Sequence, residues 1–461
     1  MNETGYTQFH GIDCIFREDG SSITLIPSNP QDNILKYFTE RNFFFEYKGI
    51  IYTRIAFVEK INSKMDHSLN LIPKYLFEFI KNFSICGFEI YGGAIDDFFN
   101  PINYFFPKVY NGALLGDVLY HKENADSWNV HFEDKNLLVT LSYGNVLLNG
   151  VGSDLKLHPK LNVKFDNNTD DIEFVYRVYS FITKFLQIIR YDLDFGHCTV
   201  ELFDENGYCK GKFYDYGQHS HKFSSKIDLD YRYLKSYIGK LLQFSADNSS
   251  LSLNHLPCST MRFNEDDYSP EILVTLFGAF ENEYKLIKDI YGKADVSKIQ
   301  KIKNDLILKI DELYSTRLTK EEKDFVNWAK SRINDIGIEF GQKKKIQKVY
   351  ETLLPAFRSS INGIFYLLDK NTQVDIAEGK INLISSDLSN LRAKGAHGET
   401  FEKYTAIQAQ EIRFLEILTY AQMLKRAGFD DIAIEFIIGV IFKCNFTYQN
   451  SEWSSLDDAN D

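Results

Sequence analysis

Near residue 266 the hydrophobic repeat of this chain changes from the alternation of strands to the three- and four-residue spacing of helices. Before that point Ile23 to Ile26, Phe43 to Val58, Leu137 to Leu141 and Cys198 to Phe203 are rich in β-branched and aromatic residues and are bounded by Gly, Asn and Asp. Asn42 to Lys60 reads as a hairpin with its turn at Lys48-Gly49. Two helices interrupt the strands. One, from Ile172 to Arg190, has Phe174, Val178, Phe181, Phe185 and Ile189 at helical spacing, and the other, from Leu229 to Phe244, has Tyr231, Leu234, Ile238 and Leu241. Residues 1–265 are therefore expected to form an α+β domain, mainly an antiparallel sheet with two helices.

After Ser269-Pro270, a capping residue followed by proline at the first helical position, helices are expected over 270–291, 295–316, 319–337, 341–352, 355–369, 380–394, 401–426 and 430–445. Residues 266–448 thus read as an all-α bundle, and residues 449–461 as a flexible acidic tail. No apolar run reaches the roughly 18 residues of a membrane span, and no basic-then-apolar leader opens the sequence. The six cysteines are scattered without close pairs, which fits reduced thiols in the cytoplasm. The net charge of −12 argues against a protein that coats nucleic acid indiscriminately.

Within the helical half, the stretch Asn390 to Gly398 concentrates chemistry. Ile381, Ile384, Leu388 and Leu391 share one stripe, and Arg392 falls at its edge. Gly395 reads as the helix C-cap, and Thr400 as the cap of the next helix, with His397 between them. An imidazole titrating near neutral pH can serve as base or acid, while a guanidinium forks onto phosphate oxygens. His397 is thus a candidate general base or acid and Arg392 a candidate phosphate clamp. Asn390 and Lys394 are placed to add contacts to the phosphate, and Asp387 to orient Arg392 or its twin in a partner subunit.

The R-x-x-x-x-H pattern of Arg392 and His397, late in a helical bundle, resembles the active-site motif of the HEPN superfamily, over roughly residues 268–446. A β-rich domain ahead of such a bundle further resembles the ApeA type of anti-phage defence protein. The resemblance implies an endoribonuclease that needs no metal or other cofactor. It would pair as a homodimer so that two motifs form one site, and act on structured RNA, with tRNA a candidate. It also implies growth arrest during phage infection, with the first domain restraining the nuclease or sensing a phage-derived trigger. Ala393 departs from the polar residue that often follows the arginine in this family. That departure keeps open a non-catalytic bundle, a dimerisation scaffold or antitoxin-like binding protein.

Two other groupings carry less. His197, Cys198, Cys209, His219, His221, His255 and Cys258 are zinc-ligand types, but no two cysteines have knuckle spacing, so they read as structural. Lys343, Lys344, Lys345 and Lys348, with Lys330 and Arg332 upstream, form a basic concentration that reads equally as a solvated face or as a track for a phosphate backbone. Asp96-Asp97 and Asp170-Asp171 read as solvated carboxylate pairs, and no P-loop, H-E-x-x-H or G-x-S-x-G motif occurs.

Overall fold

In the computed structural model the alternating segments of the first half pair into one antiparallel sheet. Its strands are β1 (Asn2–Phe9), β2 (Ile12–Asp19), β3 (Ile23–Pro27), β4 (Phe43–Lys48), β5 (Tyr52–Ser63), β6 (Leu69–Ile80), β7 (Ile85–Gly92), β8 (Asp126–Phe132), β9 (Lys135–Val146), β10 (Lys156–Thr169), β11 (Cys198–Phe203) and β12 (Cys209–Asp215). Their order is β1-β2-β3-β6-β12-β11-β7-β10-β9-β8, with β5 on the other edge of β6 and β4 beyond it. The structure describes residues 2–99 except 21, 50–51, 64–67 and 81–83, then 126–146, 156–216, 229–256 except 230 and 249–251, 268–357 except 292–295, 315–318 and 336–340, 379–396, and 404–442. The chain divides into two compact units, Met1–Leu251 and Ser252–Asp461.

Sequence logic accounts for several details of the first unit. The β4–β5 hairpin closes where Lys48-Gly49 predicted, with the Gly49 amide donating to the Tyr52 carbonyl at 2.9 Å. Pro73 sits inside β6, where it has no amide to offer β5. The β5 register slips at Phe57/Val58 and again at Val58/Lys60, around the Val58 that faces this proline. Helix α1 (Ala94–Phe98) is a short turn after β7, and Asp96 on it accepts the Gly92 amide. Helix α2 spans Ile172–Arg190, the range the spacing predicts, and the Asp171 carboxylate caps it by accepting the Phe174 amide at 3.0 Å. Its apolar face lies on the sheet, with Phe181 5.2 Å from Phe132, Phe174 5.4 Å from Phe165 and Tyr179 4.6 Å from Phe213. The helix expected over Leu229 to Phe244 is broken instead into a turn at Tyr231–Leu234, a 3-10 segment at Lys235–Tyr237 and α3 (Ile238–Asp247).

The unit also buries charge. Arg54 on β5 lies among three carboxylates: it bonds Glu3 of β1, stands 3.4 Å from Glu18 of β2 and donates to Glu78 of β6 at 2.8 Å. Tyr47 donates to Glu18 at 3.2 Å. Burial pushes the Glu18 carboxyl above its usual range, the Tyr47 hydrogen bond opposes that shift, and the Glu78 charge adds to it.

The second unit is helical: α4 (Pro270–Leu286), α5 (Val296–Tyr314), α6 (Lys320–Asp335), α7 (Gln342–Phe357), α8 (Gly379–Ala396), α9 (Ala406–Arg426) and α10 (Asp431–Phe442). Ser269 caps α4 as predicted, accepting the Ile272 amide at 3.3 Å. The helix expected over 270–291 ends at Leu286 and continues as a 3-10 segment, Lys288–Tyr291, from which Tyr291 donates to Gln422 at 3.0 Å. Pro355 lies inside α7 rather than at a helix start, and residues 358–378, with most of the helix expected at 355–369, lie outside the described residues, as do 443–461. Helix α9 is the axis of the bundle: every residue from Ala409 to Leu424 is buried, and it packs against α4, α7, α8 and α10. Among the described residues no helix is long and apolar enough to cross a membrane.

Replacing Arg54 by Met should leave three carboxylates facing one another in a dry site and cost about 3–5 kcal/mol. Urea unfolding at pH 7 measures the loss. It should shrink as the pH falls toward 4 and the carboxylates protonate.

Candidate functional site

Helix α8 carries the residues singled out around Arg392. Its apolar stripe is buried as the spacing requires: Ile381, Ile384, Leu388 and Leu391 all face the interior. The stripe rests on α4, α7 and α9. A polar clasp ties it to α7, where the Gln347 amide nitrogen donates to Asn382 Oδ1 at 2.6 Å and to Ser385 Oγ at 3.2 Å.

The four described candidates sort by angle around this helix. Asn390 and Lys394 are exposed, whereas Asp387 and Arg392 are half-buried at the margins of the stripe. At 100° per residue, Asp387, Asn390 and Lys394 fall on one flank of the stripe and Arg392 on the other. The structure therefore groups Asn390 and Lys394 with Asp387, and among the described residues no hydrogen bond or ion pair joins Asp387 to Arg392. His397 lies outside the described residues, and so does Thr400.

Two local expectations change. Gly395 is not the C-cap, because α8 runs on to Ala396 and Gly395 is absent from the positive-φ glycines. A Cβ there would meet Val274 Cγ2 at 3.5 Å, an ordinary contact, so neither backbone conformation nor space demands glycine. The cap of α9 is Thr405 rather than Thr400, and the helix starts at Ala406 rather than 401. Thr405 Oγ1 accepts the Gln408 amide at 3.3 Å while Gln408 Oε1 accepts the Thr405 amide at 3.0 Å, a reciprocal box that fixes the start.

A residue the sequence did not mark stands opposite Asp387. Glu411, in the second turn of α9, is 3% exposed, and its Oε2 has no hydrogen-bond partner. Burial first, and the Asp387 charge second, push its carboxyl up to about 8, so it is largely protonated at neutral pH. The signal that could have revealed it lies in α9 itself. Gln410, Glu411, Arg413, Glu416, Thr419 and Gln422 point to every side of the helix and leave it no solvated face. Gln410 Oε1 and Gln422 Nε2 likewise find no partner among the described residues, whereas Tyr268 donates to Glu416 at 2.9 Å, and Arg426 at the end of α9 forks onto the fully buried Glu283 at 2.8 and 2.9 Å.

The basic concentration does not survive as one track. Lys345 turns inward, 3.8 Å from Glu281 and over the Tyr284 ring, Lys348 bonds Glu351 at 2.7 Å, and Lys330 bonds Asp311. Lys343 and Lys344 remain exposed. Of the zinc-type residues, Cys198 is buried in β11 with its thiol toward the Gly92 carbonyl, Cys209 is exposed at the start of β12, and His255 ends a 3-10 segment in the second unit. His219, His221 and Cys258 lie outside the described residues, and among those described no three His, Cys, Asp or Glu side chains gather as metal ligands. Asp96 and Asp171 serve as local caps; the pairs they belong to do not form a site.

No family model matches the chain, and no curated protein matches it.

The raised Glu411 carboxyl makes a signed prediction. An unfolded glutamate ionises near 4.5 and the folded one near 8, so the folded state loses stability as the pH rises from 4.5 to 8. Glu411→Gln removes that loss. Its melting temperature should exceed that of the wild type by several degrees at pH 8.5 and converge with it near pH 4.5. A pH-independent difference in thermal melts would contradict the assignment.

Proposed function

We propose that the chain is a HEPN-type endoribonuclease that cuts structured RNA without a metal ion and acts in anti-phage defence. The observation that carries this reading is the placement of Arg392. It sits half-buried at the edge of a packed helix stripe, five residues before His397, with Asn390 and Lys394 exposed on the same helix. A guanidinium held by a rigid helix is suited to clamp a phosphate, and a histidine past the helix end to move the 2′-hydroxyl proton. The products would be a 2′,3′-cyclic phosphate and a 5′-hydroxyl. Two copies pairing through the α8 face would bring two such motifs to one RNA. The sheet unit would restrain the nuclease or sense a phage-derived trigger.

A second reading, a non-catalytic dimerisation scaffold or antitoxin-like partner, is favoured by one feature. Ala393, directly after Arg392, is exposed and carries no polar group to share in the chemistry.

Cleavage of a total tRNA pool in EDTA separates the two. The nuclease reading expects wild-type cleavage that falls at least about 100-fold in His397→Ala and in Arg392→Ala, the scale of a lost general base or charge clamp. End-group analysis should find 2′,3′-cyclic phosphates. Equal cleavage by wild type and both variants would remove these residues from the site. No cleavage by any of them, with or without phage lysate, would leave the scaffold reading.

A further inference from the structure

Helices α5 and α6 form a hairpin of 19 and 16 residues, rods of roughly 28 and 24 Å. Among the described residues each packs chiefly against the other. Ile307 and Ile310 of α5 and Val326, Ala329 and Ile333 of α6 are half-buried, and Lys330 of α6 bonds Asp311 of α5. Other large apolar side chains on the hairpin are left in water. Phe325 is 65% exposed, Trp328 56%, Leu308 60%, Ile302 58% and Leu306 43%. Phe325 and Trp328 stand one turn apart with ring centroids 5.7 Å from each other, and Arg332, one turn further along, covers the Trp328 ring at 5.9 Å.

We infer that this hairpin is the docking surface for a second copy of the chain, two hairpins joining as a four-helix bundle. A two-helix hairpin buries only one seam, whereas four helices in a bundle bury a core shared by all of them. The area agrees. At 100° per residue Ile302 and Leu306 fall on the flank of the hairpin that carries Phe325 and Trp328, with Leu308 on the other. The exposed parts of those four amount to roughly 450 Å², about half of the ~800 Å² each partner gives to a stable interface. The charges agree too. Antiparallel packing of α5 on the partner's α6 would bring the exposed Lys309 toward an acidic first turn, Glu321 and Glu322. The inference does not rest on Arg392 or on cleavage, and it holds equally for a scaffold.

Sedimentation equilibrium of the full chain tests it. The wild type should associate in two steps, one through the α8 face and one through the hairpin, and a Phe325→Glu, Trp328→Glu double variant should weaken the hairpin step at least tenfold while the α8 step persists, with an unchanged circular dichroism spectrum and melting temperature. Ile302→Glu, on the same flank of the hairpin, gives an independent reading should the double variant fail to fold. The inference is overturned if the wild type is monomeric at every concentration, or if the variants pair as tightly as it does. A wild-type monomer that binds poly(U), with binding lost in the double variant, would overturn it as well and assign these aromatics to base stacking. Scoring tRNA cleavage in the same samples keeps loss of pairing distinct from loss of chemistry.

Discussion

A helix with no solvent face must find a partner for each polar side chain it carries, because an unanswered one forfeits its hydration. Helix α9 carries such groups on all sides, and much of the second unit is arranged around that need. Tyr268 just before α4 answers Glu416, Tyr291 just after it answers Gln422, and Glu283 within it answers Arg426. These bonds set the register of α4 against α9 more sharply than apolar packing alone, since a shift of one residue would break them all. Glu411 Oε2, with Gln410 Oε1 and Gln422 Nε2, goes unanswered among the described residues. Burial first, and the Asp387 charge second, keep Glu411 protonated, so α8 and α9 pack without two carboxylate charges facing each other.

That arrangement bears on the proposed chemistry of α8. Arg392 stands on the opposite flank from the carboxyl pair, so the acidic side of the helix and its arginine side are separated by the buried stripe. A phosphate approaching Arg392 would meet a guanidinium whose helix is fixed by Leu388, Leu391 and the Gln347 clasp. Rigidity of that kind is what a charge clamp needs.

Much of this was legible in the sequence where a period ran long and clean. Helix α2 fits its predicted range because Phe174 through Ile189 keep one face and Asp171 marks the start. The stripe on α8 followed from Ile381 to Leu391 in the same way. Other parts were hidden for physical reasons. Strand β6, the hub that pairs with β3, β5 and β12, contains Pro73 and carries Asn70, Lys74 and Glu78 at four-residue spacing, which argue against a strand and mask the alternation. Thr405 is hidden by Thr400, which offers the same cap chemistry nearer the break. Glu411 could not be found from residue type, because its behaviour comes from being enclosed, and enclosure is set by the helices around α9.

The carboxylates around Arg54 come from β1, β2 and β6, strands that lie between residues 2 and 80. Glu3 and Glu18 are therefore made long before the cation and before Glu78, their companion on β6. As the chain emerges from the ribosome, β1 and β2 can pair as a hairpin, but they cannot be sealed into the sheet until β5 delivers Arg54 between them and β6. The β1–β2 hairpin therefore stays half-finished over about sixty residues of synthesis, its carboxylates waiting on a cation from β5.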